Sequence, residues 1–523
     1  MLFPPIGPLF YSLCAAVLSA SLVLSVPAGA EQAAPDLHGL LATESGLRLD
    51  GRQLDRTALL AIYQAHDFTP LWIGEPEREA ALRHALGGAA EHGLDPAAFA
   101  VPPAPPAERE LLLTDAFLRY ATALARGQVE AHALESDWAF SAPAFDPGAA
   151  LDRALAGDVG AVLAGLAPAE PSYRQLQDAL ARYRRIAAGG GWRQVPETTK
   201  LKRDDHGPAV TALRRRLAAE GYLAADALAG GFDSAVDGAV RRFQAQHGIA
   251  ADGAVGPDTF RALNVPAAVR VEQIRANLER WRELPRSWPK TRIEVNIPSA
   301  TLTVIENGEP RLVMRAIVGA EDHPTPVMRA HMNAVLFNPS WTIPASIVKN
   351  EIVPKAKRDA KYLERNHYVY RGAVLQQLPG AGNALGRVKF EMPNIYDVYL
   401  HDTPSRPLFK RAIRSLSHGC VRLENPRELA LYLLSGRSGW AEEDIDRVIA
   451  AGQTERVPLP RSLPVYLLYW TAFVDAEGAV EFRDDVYARD QRLTTALATR
   501  DAGERGRAVP APDQTAADCC HSN

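Results

Sequence analysis

Residues 292–319 read RIEVNIPSATLTVIENGEPRLVMRAIVG, and this stretch decides the class of the main domain. Apolar side chains alternate at Ile293, Val295 and Ile297, again at Leu302 and Val304, and on the return at Leu312, Met314 and Ala316. A period of two puts these side chains on one face of a strand. Asn307-Gly308 supplies the two residues of a tight hairpin turn. The spacing predicts a mainly antiparallel β domain over 290–470, ending in a long apolar strand at 465–474, with a further β segment to 499. Over 345–393 the alternation lapses into charged, partly helical sequence with a Gly-rich turn at 380–386. An insertion this long inside a compact domain is expected to be a cap over a functional centre.

Upstream the period becomes helical. Ile274, Leu278 and Trp281 keep register through 270–284. Residues 205–265, within a module at 201–266, predict three short helices around one small core. Val210, Leu213 and Leu217 line the first helix. Val236, Val240 and Phe243 line the second, capped by Asp233 or Ser234, and Gly256-Pro257 opens the third through Phe260 and Leu263. Residues 31–200 are rich in Ala and Leu and predict a helical scaffold, with periodic stretches at 111–124 and 173–186 and a proline break at 102–106. Its histidines His66, His84, His92 and His132 lack metal-ligand spacing, and no metal or organic cofactor is expected anywhere. The whole is a multidomain α+β chain.

At 523 residues the sequence is long enough for roughly two to four domains. Lys and Arg number 58 against 62 Asp and Glu, for a net charge of −4, which gives no broad basic field for nucleic acid. Residues 1–30 read as a signal peptide: 9–26 is apolar and uncharged, and Ala28-Gly29-Ala30 is a small-x-small cleavage site. No Lys or Arg precedes the apolar stretch, which is nearly long enough to span a bilayer, so an uncleaved inner-membrane anchor is the alternative. Either one exports the rest. Cys14 lies in this leader, and Cys519 and Cys520 in a polar tail, 500–523, expected to be disordered. Cys420 is then alone in the folded part, which is unusual for an oxidising compartment.

The chemistry gathers in Tyr399-Leu400-His401-Asp402-Thr403-Pro404 and Ser417-His418-Gly419-Cys420-Val421-Arg422-Leu423. A thiol is a useful nucleophile as its thiolate, and a nearby imidazole can take the proton and lower the thiol's pKa. Glycine beside cysteine permits a tight turn that aims amide N–H groups at one point, an oxyanion hole. His401 and His418 both qualify as the base, and spacing leaves the choice open. Arg422 reads equally as a structural salt bridge or a grip on a substrate carboxylate.

Two resemblances sharpen this reading. Gly221-Tyr222, Gly231-Phe232-Asp233, Ala239-Val240, Phe243-Gln244, Gly248 and Asp252-Gly253-Ala254-Val255-Gly256 are similar to the three-helix peptidoglycan-binding domain, which implies wall binding. Because these are mainly core and turn residues, a spacer that has lost binding is the alternative. His401, Ser417-His418-Gly419-Cys420 and Arg422, with Pro324-Thr325-Pro326, Asn338-Pro339, Trp341 and Pro344, resemble the L,D-transpeptidase catalytic domain. The order of scaffold, binding module and capped catalytic domain resembles the larger periplasmic members.

That resemblance implies Cys420 as nucleophile and His401 as acid/base, with Gly419 and Cys420 amides near the oxyanion and His418 in the same catalytic turn. It implies substrate contacts from Arg422, Ser417, Tyr399 and Trp341, the last of which also reads as packing. The third triad member is open between Asp402 and a backbone carbonyl. The implied activity joins third residues of peptidoglycan stem peptides (3-3 cross-links), releasing D-Ala from tetrapeptide stems in the periplasm, with carbapenem-type inhibition. Water or an attached protein in place of the acceptor stem would use the same motif, giving an L,D-carboxypeptidase or a protein-attaching enzyme. A non-catalytic wall-binding scaffold is the rival of another class. Protein partners and oligomeric state are left open.

Overall fold

A computed structural model describes residues 33–42, 46–435, 440–475 and 477–504. The expected leader, Cys14, Cys519, Cys520 and most of the expected tail lie outside these residues.

The 292–319 stretch forms three antiparallel strands, Arg292–Asn296, Thr301–Glu306 and Glu309–Gly319. Asn307 and Gly308, with φ of 55° and 94°, make the hairpin. Among the described residues these strands belong to a nine-stranded sheet. Its order is Ser415–Ser417, Glu309–Gly319, Val421–Leu423, Leu400–His401, Val388–Glu391, Met328–Phe337, Glu455–Leu468, Arg292–Asn296 and Thr301–Glu306. The last strand also pairs with Glu309–Gly319, so the sheet closes on itself. Most pairs are antiparallel, and Leu400–His401 with Val421–Leu423 is one parallel exception. Ile293, Val295, Leu302, Val304, Met314, Ala316, Phe390, Leu400 and Val421 point into one core, closed by Leu429, Leu434 and Ile445 from two helices. Each large side chain so buried contributes about 1.5–3 kcal/mol before entropy is counted.

The inserted unit spans 341–386 rather than 345–393. Trp341–Thr342, Tyr368–Arg371 and Val374–Gln377 make a separate three-stranded sheet. Helical turns over 345–365 pack on it around Ile343, Ile352 and Leu375. Val388–Glu391 returns to the main sheet, where Val388 and Phe390 enter the core while Lys389 and Glu391 take the opposite face. Those two charges mask a period of two.

Beyond Leu468, the hairpin Ala472–Val474 and Val480–Phe482 is followed by helix Arg489–Glu504. The hairpin lies within the expected β segment, while the helix takes the end of that segment and reaches into the expected tail. Asp485 caps it through the Arg489 and Asp490 amides, 2.9 and 2.7 Å away, and Leu493 and Leu497 bury its inner face.

The binding module forms Pro208–Ala219, Ser234–Gln246 and Pro257–Leu263 around Val210, Leu217, Phe243 and Phe260. Asp233 caps the second helix through the Val236 amide at 3.0 Å. Gln244 ties the 252–254 turn through Asp252 and the Gly253 amide, both at 2.9 Å. The scaffold core ends at Leu163. Helix Pro171–Ala188, expected in the scaffold, packs on helix Ala267–Glu283 and the C-terminal hairpin. Ala267–Glu283 is the hub. Its Glu279 accepts from Val129 at 2.8 Å, its Arg280 reaches Asp490 at 2.6 Å, and its Arg282 reaches Tyr173 at 3.0 Å. Trp138 and Phe140 from the scaffold side enter the catalytic core. Among the described residues no helix is long and apolar enough to cross a membrane.

Candidate active site

Strand register places the site. Leu400 pairs with Val421 and His401 with Arg422 on parallel neighbours, and Leu400 and Val421 face the core. Alternate residues face the other way, so Tyr399, His401 and Arg422 share the outer face, with Cys420 arriving beside Tyr399. The Val421 amide donates to the Tyr399 carbonyl at 3.1 Å and locks that alignment. On the far side of His401 the register partner is Lys389.

His401 is buried. Its Nδ1 lies 2.5 Å from the carbonyl oxygen of Asp402. A carbonyl only accepts, so a neutral ring carries its proton on Nδ1 and its lone pair on Nε2. The Asp402 carbonyl thus orients the ring, with the Leu385 backbone as a second partner. The Asp402 carboxylate instead accepts from the Arg387 and Thr403 amides, each at 2.7 Å, and pairs with Arg406. It reaches them beneath Gly386, where a Cβ would lie 2.3 Å from the carboxyl carbon. Burial, then Arg422, pushes the His401 pKa down to about 3, with Lys389 adding to the fall.

Cys420 is half-buried with a free thiol, its Sγ 3.9 Å from the Asp397 carbonyl. Burial pushes the thiol above its ordinary value, against hydrogen bonds from Tyr399 and the charges of Lys389 and Arg422. Sequence chemistry expected a thiol lowered by its imidazole. Burial instead raises the thiol and lowers the imidazole, so both groups rest neutral.

The catalytic turn is braced from beneath. Gly419 has φ of 102°, a conformation strained for any residue with a Cβ. Its amide donates to Ser417 Oγ at 3.2 Å, and Ser417 Oγ donates to the Cys420 carbonyl at 2.5 Å. Ser417 is thus buried inside the turn, and the Gly419 amide is engaged within it. The Cys420 amide has no acceptor among the described residues. Thr325 Oγ1 donates to the Gly419 carbonyl at 2.7 Å and accepts from the Gly319 amide at 2.8 Å. Tyr487 completes the support, donating to the Gly319 carbonyl at 2.7 Å. Thr325 lay in a motif already singled out, without a role. Tyr487 carried no signal, because it arrives from beyond the catalytic domain's last strand.

The other expected residues divide. The bend at 418–420 interrupts the strand, so His418 does not share the face of Cys420 by strand alternation. It is exposed, its Nε2 lies 2.7 Å from Glu351 of the cap, and its ring meets His323 edge-on at 5.0 Å. Tyr399 hydrogen-bonds the Cys420 thiol, and Trp341 of the cap sheet hydrogen-bonds the Tyr399 hydroxyl. Arg422 stands half-buried with its Nε unpartnered. Lys389, not foreseen from the sequence, places Nζ 3.9 Å from the centre of the Tyr399 ring.

Comparison with known proteins finds three matched regions in the chain, the first of which runs into helix Pro171–Ala188. Residues 57–180 match the scaffold domain, 206–263 a peptidoglycan binding domain and 290–448 the L,D-transpeptidase catalytic domain. The chain carries these three domains in the expected order. A Haemophilus influenzae protein, curated as an inferred L,D-transpeptidase, is 33% identical over 245 residues, 43% of this chain and 49% of that protein. The chain thus spans about half the length of that curated relative. Among solved structures, an L,D-transpeptidase from Xylanimonas cellulosilytica is 19% identical over 52% of this chain and 99% of that one, with a TM-score of 0.20. L,D-transpeptidase 3 from Mycobacterium tuberculosis, in complex with a faropenem-derived adduct, is 17% identical over 34% of this chain and 60% of that one, with a TM-score of 0.19.

Proposed function

We propose that this chain, with its L,D-transpeptidase catalytic domain and peptidoglycan-binding domain, forms 3-3 cross-links between peptidoglycan stems by cysteine acyl transfer. The observation that supports the reading is the register that pairs His401 with Arg422 and, through the Val421 amide on the Tyr399 carbonyl, brings Cys420 alongside the His401 strand, with the imidazole held by a carbonyl so that Nε2 is the basic nitrogen.

Because the resting pair is neutral, attack is general-base catalysed. As Cys420 Sγ bonds to the carbonyl carbon of the third stem residue, its proton passes to His401 Nε2. The tetrahedral oxyanion is met by the Cys420 amide. Collapse breaks the bond to the terminal D-Ala, whose nitrogen takes the proton from His401, and a thioester remains. The amine of a second stem attacks that thioester and gives its proton to His401. The carbon–sulfur bond breaks, and the thiolate recovers the proton as Cys420 thiol. The binding module holds the wall and the cap covers the stem, both in the periplasm. Carbapenems acylate the same sulfur through their lactam carbonyl.

The test is mass spectrometry of products from purified protein and disaccharide tetrapeptide. Free D-Ala with a 3-3 dimer is expected, absent in Cys420→Ala. D-Ala with tripeptide monomer alone would replace the reading by a carboxypeptidase. D-Ala release by Cys420→Ala equal to wild type would sink the nucleophile.

A further inference from the structure

Two cations stand on the catalytic face, and the mechanism above uses neither. Lys389 and Arg422 lie in register with His401 on its two neighbouring strands, so they flank the base. Both are half-buried. Glu391, two residues along on the Lys389 face, is taken by Arg456 at 2.7 Å. Glu351, the carboxylate whose charge Arg422 feels, is taken by His418 at 2.7 Å. Among the described residues neither side chain makes a hydrogen bond or ion pair: Lys389 rests over the Tyr399 ring, and Arg422 Nε is buried without a partner. A half-buried cation whose charge has no counter-ion of its own is unfavourable unless an anion joins it.

The chemistry of the substrate supplies one. In the proposed reaction His401 gives its proton to the nitrogen of the leaving residue. In an α-amino acid that nitrogen is one carbon away from the carboxyl group. A leaving residue with a free C-terminus must therefore bring a carboxylate close to His401. We propose that Lys389 and Arg422 form a carboxylate subsite that holds the terminal carboxylate of the leaving residue, and that Lys389 thereby selects donors ending one residue past the scissile carbonyl. A donor one residue longer puts a neutral amide in that place. This inference rests on the transpeptidase reading and deepens it.

The test has one arm that needs no peptide. Cys420 is alkylated with iodoacetate, an anion, and with neutral iodoacetamide, and the ratio of the two rates is taken. A change in thiol pKa alters both rates alike and cancels in the ratio. The wild-type ratio should exceed that of free cysteine. Lys389→Gln and Arg422→Gln should each lower it about tenfold, the scale of one charge-assisted contact, while Lys389→Arg keeps it. The second arm compares tetrapeptide donors ending in carboxylate and in carboxamide. Wild type should prefer the carboxylate, chiefly through KM, and Lys389→Gln should lose most of that preference. Folded Lys389→Gln and Arg422→Gln proteins with the wild-type alkylation ratio would overturn the subsite, whatever their turnover. A ratio that falls as expected in a protein that turns over no stem would keep the anion subsite and remove the transpeptidase reading.

Discussion

The neutral resting dyad predicts an unusual pH dependence. With a His401 pKa of about 3, the ring is protonated in about one molecule in ten thousand at pH 7. Holding a proton there costs about 5 kcal/mol at that pH, from about 1.4 kcal/mol per unit of pKa. Burial pushes the Cys420 thiol above its ordinary value, so it too rests neutral. The form that reacts, neutral imidazole beside thiol, therefore dominates from roughly pH 4 up into the alkaline range. The kcat/KM for acylation should be nearly flat across that window, with no limb near the ordinary histidine value of 6.5. Alkylation by iodoacetamide should rise through the alkaline range with no plateau at neutral pH. His401→Ala should leave the midpoint of that alkylation curve little changed, because the group removed carries no charge, yet it should nearly stop turnover. The assays are carbapenem acylation followed by intact mass, and iodoacetamide labelling, each from pH 5 to 9.5 on protein shown to be folded. An acid limb between pH 6 and 7, or a thiolate plateau at pH 7 that His401→Ala abolishes, would refute the neutral dyad and restore an ion pair.

Three further outcomes follow from the surroundings of the site. Thr325→Val should leave the Gly419 carbonyl and Gly319 amide unpaired, costing about 1–3 kcal/mol of stability and lowering kcat, with Thr325→Ser recovering both in thermal melts and acylation rates. Gly386→Ala should drive a Cβ into the Asp402 carboxyl at a positive φ of 63°, lowering the melting temperature and the acylation rate together. His92, held down to about 4 mainly by burial, resists protonation when folded but takes a proton below about 6.5 when unfolded. Its contribution to stability therefore falls as pH drops from about 6.5 to about 4, by at most about 3 kcal/mol. His92→Gln should lose less stability than wild type between pH 7.5 and 5 in denaturant titrations.

What the sequence made legible was local. The hairpin at Asn307-Gly308, the Asp233 cap and the three-helix core of the module each follow from a few adjacent residues, and each is where the pattern puts it. What it hid depends on distant partners. Helix Pro171–Ala188 has an amphipathic face that fits any helical domain, and the partners it packs on lie as far along as Phe482. Strand Val388–Glu391 reads as part of the insertion because its outer residues are charged. Those charges line the catalytic face, so the same fact that obscured the strand also hid Lys389 as a site residue. Among its described side chains, helix Arg489–Glu504 adds Leu493 and Leu497 to the apolar core, too few for a periodic signal in a polar segment.

The site shows the same limit in a form that matters chemically. Asp402 follows His401 in the sequence, and a carboxylate beside a catalytic histidine invites assignment to a triad. The backbone reverses the roles: the Asp402 carbonyl holds Nδ1, while its side chain ties the 386–387 and 403–406 segments. A carboxylate on Nδ1 would stabilise the imidazolium and raise the pKa of His401. A carbonyl fixes the tautomer with much less of that effect, so burial and the two flanking cations hold the pKa down. The low pKa of the base and the positive field around the leaving group thus share one origin. No negative charge is bonded to the imidazole, and Asp402, Glu391 and Glu351 are each paired elsewhere. On the proposed reading, the anion that balances Lys389 and Arg422 arrives with the donor stem and leaves with D-Ala.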